Sequence, residues 1–230
     1  MKINNYLTWL ALLAMAACNI KTQKLNTAAK TIHLLEGEDT LSVGYPGHTL
    51  LTHFNGQVLL QEDLNQDSLQ DIAFLAMVGE ELEEKADTAA IKLFIFTQQP
   101  DGSYSLAASS GKLGSAKTMR TGYDVLFFEG DLIRYMHMTM RSEVELSFEY
   151  FFDTNNWMLL EKEALFFGNP TPPKQIIMRY REGKRILHAT KWGEPNEEPI
   201  ALPQKVSAID NVLMPLESIN EETIYSDLYE

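Results

Sequence analysis

The sequence predicts an all-β fold of short antiparallel strands and hairpins, arranged as a sandwich or a meander. Two observations carry this prediction. From Thr31 onward apolar residues rarely recur at the three- and four-residue spacing of a helix, and many short runs alternate between apolar and polar residues instead. These runs are bounded by Gly, Asn, Asp or Pro, the residues that turn a chain. With 230 residues, 45% of them hydrophobic and 22% charged, the chain has the composition of a globular protein with a real core. No self-similarity recurs at a period of roughly 20–50 residues, which excludes solenoids and full propellers.

The N-terminal residues read as an export signal. A positive start at Lys2 and an apolar run from Tyr6 through Leu13 precede the small residues Ala14, Ala16 and Ala17 and then Cys18. The apolar run is well short of the ~20 residues a spanning helix needs. Cys18 is the only cysteine, so no intramolecular disulfide can form. Met15-Ala16-Ala17-Cys18 resembles the bacterial lipobox, with Met15 where that motif most often has Leu. The resemblance implies acylation of Cys18, a membrane partner through the lipid anchor, and an envelope location, most simply the outer membrane. A plain signal that leaves a secreted or periplasmic protein is the alternative. Residues 19–30, polar and rich in Lys, Thr, Asn and Gln, then form a tether. Removing residues 1–18, which carry one Lys and no acid, takes the formal charge from −13 to −14, and this argues against nucleic acid as a partner.

The first chemical constellation follows at 63–71, Asp63-Leu64-Asn65-Gln66-Asp67-Ser68-Leu69-Gln70-Asp71, running straight into the apolar strand Ile72–Val78. Oxygen-bearing side chains stand at loop positions 1, 3, 5 and 9. Calcium takes about six to eight oxygens at roughly 2.3–2.6 Å, and a short loop with Asp or Asn at alternate positions turns several of them toward one centre. The Leu69 carbonyl and water would complete the shell. An EF-hand is excluded, because Phe74 stands at position 12 and a strand rather than a helix follows. A plain Asx-rich turn without an ion is the other reading.

The loop resembles that of the FG-GAP/VCBS repeat family, D-x-[DN]-x-[DN]-G-x-x-D leading into an apolar strand. The resemblance extends to Ile91–Phe96 and to Pro100-Asp101-Gly102-Ser103-Tyr104, which is similar to the family's second strand and hairpin turn. It covers roughly residues 57–107, and places an FG-GAP/VCBS-like β unit in 31–110. By resemblance Asp63, Asn65, Asp67 and Asp71 ligate calcium by side chain and Leu69 by its carbonyl. Ser68 departs from the family's glycine. The chain also resembles single-repeat bacterial envelope lipoproteins, in which Trp157 has a counterpart; that resemblance implies no catalytic activity.

Gly111–Lys117 is small and flexible and separates this unit from a second, 120–190. There, Asp131–Met140, Glu143–Tyr150 and Trp157–Glu161 form an antiparallel meander, with Val144, Leu146, Phe148 and Tyr150 on one face and a turn at Asp153–Asn156. Met136, Met138 and Met140 share a face, which is read as core. Gln175–Arg181 and Lys184–Thr190 pair through the Glu182-Gly183 turn. Residues 191–230 read as a loop-rich acidic segment. Whether the two units share one core is left open by the sequence.

Other catalytic signatures fail. Ser109-Ser110-Gly111-Lys112 matches S-x-x-K but falls in a glycine-containing loop with no S-D-N or K-T-G beyond it. His33, His48, His53, His137 and His188 are scattered without metal-ligand spacing. Glu80, Glu81, Glu83 and Glu84 beside Lys85 read as a solvated loop. The expectation is thus a non-catalytic envelope lipoprotein with a structural Ca²⁺ loop, serving binding or assembly with an envelope protein or glycan. The alternative is an envelope hydrolase acting on polysaccharide or peptidoglycan with acids at Glu143, Glu145 or Glu149.

Overall fold

The computed structural model describes residues 24–27, 30–33, 48–50, 59–78, 90–115, 122–168, 171–193 and 198–225, and in them the fold is all-β and antiparallel. Cys18, His53 and the Glu80–Glu84 run lie outside these residues, as does the signal segment. Strands β1 (Lys24–Thr27) and β2 (Lys30–His33) pair as a separate hairpin.

Strands β3 (His48–Leu50), β4 (Leu59–Glu62), β5 (Asp71–Val78), β6 (Ala90–Gln98), β7 (Tyr104–Ser109) and β8 (Gly114–Ser115) form one sheet, in which β3 and β4 both pair with β5, and β5 with β6. The apolar run that opens β5 is buried on both faces, as its lack of alternation requires. Ala73 and Leu75 face the main core, whereas Phe74 stacks on Phe94 and Phe96 at 5.8 and 5.6 Å on the other side. The β6–β7 hairpin turns at Asp101-Gly102, where Gly102 has φ +81°.

The second sheet holds the meander. Strands β9 (Tyr123–Glu129), β10 (Leu132–Met138), β11 (Ser142–Phe151), β12 (Asn156–Phe166), β13 (Lys174–Arg179) and β14 (Lys184–Lys191) pair in chain order. Strands β15 (Ile200–Ala201) and β16 (Lys205–Ala208) add to β14, and β17 (Met214–Pro215) adds to β12. Gly130 and Asp131 both take positive φ, 58° and 67°, which suits the two-residue connection of a right-twisted hairpin. After β13 the chain makes one 3₁₀ turn, Tyr180–Glu182, and reverses at Gly183 with φ 62°.

One irregularity shapes this sheet. Ser147 lies opposite Glu161 but Phe148 lies opposite Leu159, so Leu160 is an extra residue bulged out of β12. The bulge moves β12 out of phase: Trp157 and Leu159 face inward before it, Lys162 and Ala164 after it. Lys162 is thereby carried into the interior, where its Nζ donates to the Thr223 carbonyl at 2.9 Å.

One hydrophobic cluster spans both sheets. It joins Leu60, Leu75, Leu93 and Ile95 of the first to Leu126, Ile133, Leu146, Trp157 and Leu159 of the second. The segment expected to be loop-rich contributes as well: Leu216 in a 3₁₀ turn, Ile219, and Ile224 on helix α1 (Glu221–Tyr225) are all buried.

The methionine face is a correction. On β10 the inward residues are Ile133, Tyr135 and His137, while Met136 and Met138 are half-buried on the outer face and Met140 is 90% exposed. Alternation fixes which residues share a face but not which face is inside. Here the choice goes to the face whose polar member finds a buried partner: His137 Nδ1 lies 3.0 Å from Asp124 Oδ1, which also accepts from the Tyr135 hydroxyl at 2.9 Å.

Candidate metal centre

Loop 63–71 connects β4 to β5, and its acidic side chains fold back on its own backbone. The Asp67 amide donates both to Asp63 Oδ1 at 3.0 Å and to Asn65 Oδ1 at 3.1 Å, so these two oxygens converge on one point. The Ser68 amide donates to Asp63 Oδ2 at 2.8 Å, the Leu69 amide to Asp67 Oδ1 at 2.8 Å, and Asn65 Nδ2 to Asp67 Oδ2 at 3.0 Å. These are the local side-chain-to-backbone bonds that Asp and Asn offer in turns. The loop passes through positive φ twice, at Gln66 (62°) and Ser68 (69°).

Asp71 does a different job. It is fully buried, and its two oxygens accept from the Leu64 amide at 3.1 Å and the Gln98 amide at 2.9 Å, tying the loop to the end of β6. Burial pushes the Asp71 carboxyl from 3.8 up to about 6; the charges of Asp67 and Asp63 add to the rise, and the Gln98 and Leu64 amides oppose it. Gln98 also accepts the Gln70 amide at 3.1 Å, and Gln70 Nε2 reaches the Gln61 carbonyl at 3.3 Å.

Two tyrosines sense the same acids. Tyr104 is raised above its ordinary range by burial and then by Asp71, and Tyr150 by burial and then by Asp67 and Asp71. Tyr150 packs on Trp157 at 4.8 Å, so the loop of the first sheet stands beside the β11–β12 hairpin of the second. Tyr104 enters the sequence reading only as the aromatic of the Asp101-Gly102-Ser103-Tyr104 turn, and neither Tyr150 nor Gln98 belongs to the motif.

The donor chemistry suits a hard cation: three carboxylates and an amide oxygen, with no Lys or Arg paired to Asp63, Asp67 or Asp71 among the described residues. Asp63, Asn65 and Asp67 come together as the spacing implies, whereas Asp71 is turned onto the Leu64 and Gln98 amides. Among the described residues no three His, Cys, Asp or Glu side chains converge as a metal-holding group.

The remaining candidates have structural partners. Glu145 pairs with Arg134 at 2.6 Å and Glu149 with Arg181 at 2.5 Å. The Glu143 carboxyl is raised by burial and then by Glu145 and Glu163. Ser110 is buried and accepts the Leu93 amide at 2.9 Å, and Lys112 lies 3.7 Å from Glu221, so the S-x-x-K residues lie on a strand end and a loop rather than a helix. His188 is exposed on β14. No helix among the described residues is long and apolar enough to cross a membrane. No family model, no curated protein and no solved structure matches this chain.

Proposed function

We propose that the chain is a non-catalytic, lipid-anchored cell-envelope protein whose 63–71 loop takes Ca²⁺ as a structural ion, and that it serves binding or assembly. The observation that supports this reading is the loop itself: four Asx side chains within nine residues, three of them acids with no cationic side chain paired to them among the described residues. Asp63, Asn65 and Asp67 would hold the ion through side chains and Leu69 through its carbonyl, and Asp71 would join them only by turning an oxygen from the Leu64 or Gln98 amide. The ion's positive charge would offset the repulsion among the three acids. The resemblance to FG-GAP/VCBS loops supports the same assignment, and the lipobox-like Met15–Cys18 supports the anchor.

The test is thermal unfolding of the purified protein with calcium and with chelator, repeated on Asp67→Ala. A ligand present at about a hundred times its dissociation constant stabilises by about 2.7 kcal/mol. At about 2–4 °C per kcal/mol for a chain of this size, the melting temperature rises by about 5–10 °C in wild type and not in the variant. Equal melting temperatures with and without calcium would remove the ion from the proposal. The anchor is tested separately, by whether Cys18→Ser releases the protein from the membrane fraction.

A further inference from the structure

The second sheet runs past the core and ends on an open edge. On β13 Ile176 and Met178 are buried, but no residue of β14 is fully buried and all four residues of β16 are exposed. Strand β16 pairs with β14 from Lys205 opposite Leu187 to Ala208 opposite Lys184, and among the described residues no strand pairs with its other side. Backbone donors and acceptors left open in this way are a template for a further strand. A single lysine is a common way of blunting such an edge, but here the faces beside it carry more than one charge.

Strands β13 to β16 contain six bases and no acid. Arg179 and Lys184 are paired with Glu161 and Glu182, and Lys174 lies over the Phe166 ring at 4.7 Å. Arg185, Lys191 and Lys205 have no ion pair among the described residues, and Arg185 Nε is buried without a hydrogen-bond partner. These three share one face. Cross-strand pairing sets Ser207 beside Arg185 and Lys205 beside Leu187, and Lys191 follows Arg185 along β14 at an even spacing. The acids nearest in sequence, Glu198 and Asp210, lie in the connections before β15 and after β16. On the opposite face Val206, 60% exposed, continues the row of Ile177 and Ile186, so an apolar strip reaches the edge.

We propose that β16 is a docking edge for an extended acidic segment of another protein, added to the sheet as one more strand in which acids alternate with aliphatic residues. The alternation follows from the pleat: successive residues of the incoming strand point to opposite faces, so one set meets Lys205 and Arg185 and the other meets Val206. Opposite charges on adjacent strands attract and like charges repel, so the unpaired cations select an acidic segment over a basic one. Main-chain hydrogen bonds along the edge supply the attachment, and the side chains supply the choice of partner. A second copy of β16 is a poor occupant, because antiparallel pairing of two such edges gathers the unpaired cations of both copies on one face. The proposal names a partner class for the binding role proposed above. It depends on neither the calcium ion nor the anchor, so its failure leaves both standing.

The test is fluorescence anisotropy of the mature protein with a labelled peptide, Thr-Glu-Val-Glu-Val-Glu-Thr. Its controls are the same peptide with Lys for each Glu, and with Pro for each Val, which keeps the charge but cannot extend the ladder. The acidic peptide binds saturably and at least about tenfold tighter than either control. Lys205→Glu, at an exposed position, weakens it at least about tenfold and turns the preference toward the lysine peptide. Val206→Asp, also exposed, weakens it through the other face, and a thermal melt of each variant separates loss of binding from loss of fold. No binding at millimolar peptide, equal binding of the lysine or the proline peptide, or binding indifferent to both variants overturns the proposal. Sedimentation of the protein alone as a dimer that Val206→Asp dissociates overturns it as well, and gives the edge to a second copy.

Discussion

Replacing Ser68 by Gly tests whether the acidic loop is held in a strained conformation. Ser68 has φ 69°, a region in which a Cβ costs an L-residue roughly 1–2 kcal/mol. Its side chain is exposed, its hydroxyl has no hydrogen-bond partner among the described residues, and its only marked contribution is the amide bond to Asp63 Oδ2, which glycine keeps. Against the relief of strain stands the larger conformational freedom of glycine in the unfolded chain, worth roughly 0.5–1 kcal/mol. The balance is a gain of about 0.5–1 kcal/mol in the calcium-free protein, or about 1–4 °C in melting temperature. Thermal unfolding in chelator, read by circular dichroism on both proteins, measures it. The strain relieved is that of the Ser68 backbone itself, so the gain is one of folding stability. A melting temperature that is unchanged or lower in the glycine variant would show that Ser68 is not strained, and the argument from positive φ would fail.

Leu75→Ala, at a fully buried position in the middle of β5, lowers stability in urea unfolding by about 3–5 kcal/mol; a loss under 1 kcal/mol would mean that the inter-sheet core is not packed as described. Asp124→Ala strips the buried Tyr135 hydroxyl and His137 of their shared acceptor and costs about 2–5 kcal/mol by the same assay, whereas Asp153→Ala, at an exposed turn position without positive φ, tests the background. Gly183→Ala places a Cβ 3.2 Å from the Ile209 carbonyl at φ 62° and lowers stability by about 1–2 kcal/mol. Asp101 accepts from both the hydroxyl and the amide of Ser103, which holds its carboxyl below 3.8; its contribution is therefore present above pH 3.8 and is lost as pH falls through the lower folded value. An NMR titration of Ser103→Ala moves the Asp101 midpoint upward, and an unmoved midpoint would refute the assigned cause.

Local patterns carried much of the fold. The β5 run declared itself by continuous apolar character, the meander by alternation, and each hairpin by residues that tolerate positive φ: Gly102 after Asp101, Asn155 after Thr154, Gly183 after Glu182. The convergence of Asp63, Asn65 and Asp67 was legible for the same reason, since the bonds that gather them span five residues or fewer. Long-range partners were not legible. Asp71 finds Gln98 across 27 residues, and nothing in the motif reveals that its carboxylate turns to that amide. The bulge at Leu160 was invisible too, because the sequence shows a strand only over Trp157–Glu161 and says nothing of its register on β11. Once it is placed, Lys162 on the inside follows. The methionine face was misread because sulfur-bearing side chains look like core by composition, and a His–Asp–Tyr group that satisfies itself internally leaves no mark in the sequence.

The position of Leu216, Ile219 and Ile224 along the chain sets the order in which this protein can become whole. All three come after every strand of both sheets, yet all three are buried between elements that precede them. A chain whose sheets have already paired therefore still presents an open apolar seam, sealed only when the segment leading into α1 folds back over it and the Glu221 amide meets the Lys112 carbonyl at 2.6 Å. Pairing of this kind is slow, because distant contacts must close large loops before any burial rewards them. Until that closure the seam is a sticky surface, and its exposure time rather than final stability governs how readily copies of the chain aggregate.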